Sequence, residues 1–280
     1  MPIAVYHEQK STYANRSFPA LKSLHLALIT LLLLLFMPVS QACQLTMQAQ
    51  HFPPRFIKAA DGSWTGYNIE LFQALAKELG CSSQFLETPW GRSMQLLASG
   101  ELDAMSNVSY NEQRAEFAYF IGPHQQEQVK LVTNLVPAPD KTSLTDLVNG
   151  KDLIAAMQGI YYGAAFEQAL ETAPAFRQRL VFVTLNQQKL ELFLSGRVQY
   201  MLEDQLNLQQ LYLHNTLNPS QHKALFTLYE NPVYFAFSKK RWSDSQQQTL
   251  SNAWQKLVAE GKVQQLQQQY FAEQITDKQP

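Results

Sequence analysis

Between Glu87 and Arg114 the chain reads ETPWGRSMQLLASGELDAMSNVSYNEQR, and this stretch leaves few folds open. Met94, Leu96, Leu97 and Ala98 mark a helix that Ser99-Gly100 stops, since glycine takes the left-handed conformation that ends helices. Leu102-Asp103-Ala104-Met105 is short and mostly apolar, as expected of a strand covered on both faces. A polar run follows at once: Ser106, Asn107 and Ser109, then Arg114. Polar groups gathered past the carboxyl end of a buried strand are where open α/β sheets hold ligands. Trp90, just before the helix, brings an aromatic face to the same spot.

The pattern returns about a hundred residues later. Leu192-Phe193-Leu194-Ser195-Gly196-Arg197-Val198-Gln199-Tyr200-Met201 repeats the order helix end, Ser-Gly turn, buried strand, methionine. Two lobes of like build follow from this echo. One offers Ser106, Asn107 and Ser109 at its strand end, the other Glu203 and Asp204, and ligand sites favour such interfaces.

Strands and helices alternate through the rest, which predicts an α/β fold. Cys43 to Gln48 reads as the first strand and Tyr67 to Leu79 as a helix with Ile69, Phe72, Leu75, Ala76 and Leu79 on one face, Asn68 as its cap and Gly80 as its stop. Pro137-Ala138-Pro139-Asp140 is a compositional break and Asn231-Pro232 a second, each placed at a crossing between lobes. The predicted organisation is therefore residues 43–134 plus 232–273 in lobe one, 135–231 in lobe two, and a tail over 274–280. Ser243 with Gln246 predicts a capping box for a closing helix.

Residues 1–42 read as an export signal. Lys10, Arg16 and Lys22 precede the apolar run Leu26 to Met37, which is short of the roughly 20 residues a membrane span needs, and Ser40-Gln41-Ala42 is a small-x-small cleavage pattern. Cleavage after Ala42 makes the mature protein an exported one. Cys43 then has two uses: lipidation at the new N-terminus, or a disulfide with Cys81, the other cysteine of the chain, in an oxidising compartment. The disulfide is the reading adopted, because the two cysteines begin strands expected to be neighbours.

Composition excludes several classes. A net charge of -1 with no basic run argues against nucleic acid. P-loop, G-x-S-x-G, H-E-x-x-H and C-x-x-C motifs are missing, and the histidines lack metal-ligand spacing, so no cofactor or metal is expected.

Read together, Asp61-Gly62 with Gly66-Tyr67-Asn68-Ile69-Glu70-Leu71, Ser99-Gly100-Glu101-Leu102-Asp103-Ala104, Glu112-Gln113-Arg114, Asp146-Leu147 before Gly150-Lys151, and Glu260-Gly261-Lys262 closely resemble the family-3 bacterial extracellular solute-binding proteins. The resemblance covers essentially all of the mature chain. It implies a two-lobed periplasmic binding protein fold of type II, each lobe a mostly parallel sheet flanked by helices, with two hinge crossings and a monomeric state. It further implies closure on a small zwitterionic or carboxylate solute, amino-acid-like, for delivery to an ABC importer without catalysis.

Carried over by position, the resemblance makes Arg114 the grip on a ligand carboxylate, for which a planar guanidinium suits. Ser106, Asn107 and Ser109 adjoin it, Trp90 stacks on the ligand, Phe52 or His51 forms the second wall, and Asp204 or Glu203 meets an ammonium. Other uses stay open: Arg114 paired with Glu112 or Glu116, Trp90 as packing, Asp204 as a helix cap. Gly159-Ile160-Tyr161-Tyr162-Gly163 departs from the usual glycine followed by serine or threonine, leaving Tyr161 or Tyr162 or backbone N–H groups to serve. Arg92 faces either the ligand or an acid such as Glu101. Two alternatives accompany the receptor reading. One is an enzyme on the same scaffold, dehydratase-like, with Glu203, Asp204 or His51 as its acid or base. The other is a sensor serving a membrane signalling partner.

Overall fold

The computed structural model of the chain describes Met1 and residues 43–275. The expected export segment and the end of the tail lie outside them. Eight strands form one mixed sheet in the order β4-β1-β5-β10-β6-β9-β7-β8. These are β1 (Gln44–Ala49), β4 (Ser82–Glu87), β5 (Ala104–Ser109), β6 (Ala118–Thr133), β7 (Ile154–Met157), β8 (Leu180–Val183), β9 (Tyr200–Asp204) and β10 (Lys223–Ser238). β2 (Ile57–Lys58) and β3 (Trp64–Thr65) make a separate two-stranded ribbon. β1 runs parallel to β4 and β5, and β7 parallel to β8 and β9. β6 and β10, at 16 residues each, run antiparallel to each other from Lys223 opposite Thr133 to Ser238 opposite Ala118.

Those two strands are the hinge crossings of a two-lobed fold. Buried apolar residues fall into clusters on either side of them. One pair of clusters draws its buried members from residues 45–121 and 235–271, the other from 129–217. Each lobe thus has its own core, as expected when strands covered on both faces are flanked by helices.

The helices are α1 (Tyr67–Glu78), α2 (Trp90–Ser99), α3 (Glu112–Ala115), α4 (Leu144–Val148), α5 (Ala164–Thr172), α6 (Pro174–Gln178), α7 (Asn186–Leu194), α8 (Gln205–Leu213), α9 (Asp244–Ala259) and α10 (Lys262–Ile275). α1 has Gly66 as its N-cap, so Asn68, expected in that role, lies inside the helix and is buried. α2 ends on Gly100 at φ 83°. At the start of α9, Ser243 N–H donates to Gln246 Oε1 at 3.0 Å, the expected box.

Two strand boundaries differ from expectation. β5 begins at Ala104, so Ser106, Asn107 and Ser109 belong to the strand and not to a loop beyond it. Asp103 stays outside because its carboxylate accepts from Thr46 N–H (2.9 Å) and Arg241 Nε (2.8 Å). Asn107 sits at φ 62° where the β5–β10 register slips, an irregularity that re-aims a strand side chain. Asn231-Pro232 lies inside β10, opposite Glu127 and Gln126.

Cys43 and Cys81 form a disulfide with Cα atoms 4.5 Å apart, linking the residues just before β1 and β4. Among the described residues no helix is long and apolar enough to cross a membrane.

Candidate ligand-binding site

The site begins with a loop, not with a strand. His51 to Phe56 contains two prolines and folds back on itself, with Phe52 and Phe56 bridged. Its carbonyls then cap α1: Tyr67 N–H donates to Pro54 O and Asn68 N–H to Arg55 O, both at 3.1 Å. These are first-turn donors that a helix cannot satisfy itself. The fit requires Gly66, at φ 114°, because a Cβ there would stand 2.6 Å from Arg55 O. The backbone of Arg55 is fixed in this way, and its side chain enters the cleft.

Arg55 is 0% exposed and grips Asp204 bidentately, Nη1 to Oδ1 at 2.7 Å and Nη2 to Oδ2 at 3.0 Å, while its Nε donates to Gln125 Oε1 at 2.9 Å. Asp204 Oδ1 also accepts from Leu206 N–H and Asn207 N–H at the start of α8. One carboxylate therefore caps a helix of the second lobe and holds a guanidinium of the first. Burial works against the Arg55 charge, and Asp204 more than offsets it, so the guanidinium titrates above its ordinary value.

Two further bonds tie the lobes together. Trp90 Nε1 and Arg114 Nη2 each donate to Gly159 O at 3.1 Å. Arg114 is 8% exposed, gives Nη1 to Ser109 O at 2.9 Å and lies 5.9 Å from the Tyr161 ring centre. Burial pulls it below the usual arginine range.

Behind these contacts lies a cavity of about 80 Å³. Phe52, Phe56, Trp90, Val129, Met157, Ile160, Tyr162 and Leu202 supply its apolar wall. Gln48, Gln50, Asn107, Glu127, Asn186, Lys189, Glu203 and Asp204 supply the polar one. Glu203 pairs with Lys189 Nζ at 3.1 Å, and that ammonium also donates to Leu202 O. Glu127 is 7% exposed and accepts from Asn107 Nδ2 at 3.0 Å. Burial first, then the nearby Asp204 carboxylate, raise Glu127 well above the usual carboxylate range, with Arg55, Asn107 and Arg114 opposing. His124, beside Ser106 Oγ at 3.2 Å, is pulled down to about 3 by burial and then by Arg55, so it is neutral.

Of the residues expected at the site, Trp90, Asn107, Phe52, Glu203 and Asp204 line this cavity. Arg114 and Tyr161 line a second groove, together with Gly159. Ser106 and Ser109 are buried behind the wall. His51 is exposed and accepts from Lys58 N–H, and Arg92 is exposed with Gln95 Oε1 at 3.4 Å while Glu101 takes Ser99 Oγ. Tyr162, not Tyr161, reaches inward, accepting from Met157 N–H at 2.9 Å. Arg55, Glu127 and Lys189 are additions. The one sequence signal for Arg55 is a basic residue directly after two prolines and between two phenylalanines.

Residues 45–273 match the family model for bacterial extracellular solute-binding proteins, family 3. The chain belongs to that family. This solute-binding protein is 24% identical over 232 residues to the probable amino-acid-binding protein YxeM of Bacillus subtilis (strain 168), covering 82% of this chain and 84% of that one. A shorter stretch of 77 residues is 30% identical to cyclohexadienyl dehydratase of Pseudomonas aeruginosa and spans 27% of this chain and 29% of the enzyme. A histidine kinase sensor domain with similarity to periplasmic binding proteins superposes with a TM-score of 0.69 at 19% identity, over 82% of this chain and 96% of that one.

Proposed function

We propose that this solute-binding protein is a periplasmic receptor that closes on a small amino-acid-like solute and presents it to an ABC importer. The observation that carries this reading is the cavity bridged by lobe-to-lobe bonds, Arg55 to Asp204 and both Trp90 and Arg114 to Gly159. A site between two lobes on a two-strand hinge opens to admit a solute and shuts around it. Lobe two contributes Asp204 and Gly159, lobe one the donors that meet them. Closure, in this account, is the signal a membrane partner reads. The likeness to an amino-acid-binding protein over most of both chains supports the solute class.

Arg114 serves this closure first. Its guanidinium is engaged with Ser109 O and Gly159 O, so a solute carboxylate reaches it only by displacing the glycine carbonyl. Thermal-shift screening of amino acids, amines and small carboxylates tests the proposal. At least one class should raise the melting temperature in a saturable way, and Arg114→Ala should remove most of that rise. A wild-type protein indifferent to all three classes contradicts the receptor reading.

A catalytic reading has one observation in its favour. Glu127 is a buried carboxyl group with raised proton affinity facing a cavity, the character of a general acid, and part of the chain resembles a dehydratase. Glu203 and Asp204 are ion-paired and His51 is outside, which leaves Glu127 as the candidate. Conversion of a bound compound by wild-type protein, absent in Glu127→Gln, would favour the enzyme.

A further inference from the structure

The charges around the cavity do not balance. Among its lining residues, Lys189 is spent on Glu203 and on the Leu202 carbonyl. Asp204 is spent on Arg55, which gives its Nε–H to Gln125. Arg114 lies outside the lining, engaged with two carbonyls. Glu127 is the lining carboxylate with no cation in ion-pair contact among the described residues, and its one hydrogen bond comes from the Asn107 amide. An isolated carboxylate taken out of water this far is costly, and it is relieved either by holding a proton or by a positive group that joins it.

A second, independent observation points the same way. Gln48 and Asn107 line the cavity, and their buried amide oxygens have no donor among the described residues. Gln48 is 2% exposed, so water does not reach it from outside. Because Asn107 turns its NH₂ towards Glu127, its oxygen is the end left free. Among the described residues the cavity therefore has two acceptors without donors and a carboxyl group without a paired cation, and its lining lacks an uncommitted cation. Around them stand Phe52, Phe56, Trp90 and Tyr162, whose ring faces attract cations.

We infer that the cleft reads its solute through a cationic nitrogen, with Glu127 as counter-charge and the Gln48 and Asn107 oxygens as further acceptors, on a small apolar body. The inference rests on the receptor reading above and narrows its solute class to small organic ammonium ions. Asp204, the acid expected to meet an ammonium, is held by Arg55 and acts in closure. A carboxylate on the solute contributes nothing that the cavity can match. The space of about 80 Å³ is roughly half of the 150 Å³ in which a cavity holds benzene, so a head with a few carbons is the scale of the occupant.

Isothermal titration of the full mature chain with n-butylamine, butyrate, n-butanol and norvaline tests this. The amine should bind at least tenfold more tightly than the alcohol or the acid, with norvaline no tighter than the amine. Glu127→Gln, which keeps the hydrogen bond from Asn107, should abolish the preference for amine over alcohol, whereas Arg114→Ala should weaken every bound compound by a similar factor. Tighter binding of butyrate or norvaline than of butylamine would overturn the inference and leave the receptor reading standing. An unchanged amine preference in Glu127→Gln would overturn it equally. Failure of all four compounds and of the wider screen would sink both.

Discussion

Glu127 and the Arg55–Asp204 pair are where single atoms decide the behaviour of this protein. Glu127 binds its proton more tightly in the fold than in the unfolded chain, because it is buried and near Asp204. A raised carboxyl value contributes stability that is complete below the ordinary carboxylate range and is lost as pH rises through the folded value. Glu127→Gln removes that loss. The variant should match wild type near pH 4.5 and gain on it as pH rises towards 8, by at most about 1.4 kcal/mol for each tenfold gain in the proton affinity of Glu127 on folding, read by urea unfolding at a series of pH values. His124 acts with the opposite sign. It stays neutral in the fold down to about 3, so its contribution is present above the unfolded histidine range and is lost as pH falls through that range towards 3. The ion pair is asymmetric. Without Arg55, Asp204 keeps two backbone donors, whereas without Asp204 the buried guanidinium keeps only Gln125. Asp204→Ala should therefore cost about 3–5 kcal/mol, more than Arg55→Met, in urea unfolding at pH 7. Equal costs would mean that the uncompensated charge is not what matters.

At the level of elements, the loop of residues 51–56 locked onto α1 is the feature on which the site stands. Gly66→Ala puts a methyl group against backbone carbonyls that have no flexible end to move, at a φ that suits glycine. A loss of about 2–4 kcal/mol and a weakened grip on solute should follow together, checked by unfolding and titration on the same preparation. The disulfide pins edge strand β4 to β1 across a separation of 38 residues. Cys43→Ser/Cys81→Ser should cost up to about 4 kcal/mol by the chain-entropy account, visible as a lower urea midpoint with solute affinity retained. The elements legible beforehand were those with strong local signals: α1 and α2 with their glycine stops, the cap of α9, and the short buried strand β9. The length of β6 and β10 was not. Their middles pair Gln125 to Gln128 with Glu230 to Val233, a run with no apolar alternation and a proline. Only the partner strand makes such a segment a strand, and that partner lies a hundred residues away. β5 was misplaced for a related reason, since Asn107 and its neighbours look like loop until the β10 ladder takes them.

For the molecule as a whole, two lobes on a two-strand hinge could be read from the repeated Ser-Gly turn and from a family resemblance spread along the mature chain. The closing contacts could not. Arg55 meets Asp204 across 149 positions of sequence, and Arg114 meets Gly159 across 45. Nothing local to Pro53-Pro54-Arg55 announces a partner. Burial of Glu127 is likewise a property of the assembled cleft, since both flanking residues are glutamines. What the residues announced was the chemistry available at the strand ends; which groups spend it on each other is decided by closure. The central claim is that Arg55 and Asp204 hold the lobes shut over the cavity. Spin labels at exposed Gln95 and Glu171, one on each lobe, measure this by pulsed electron resonance. With a binding solute at saturation the wild-type labels should show one short distance, and Asp204→Ala should shift the population to longer ones by several ångströms. A distribution that Asp204→Ala leaves unchanged would contradict the account.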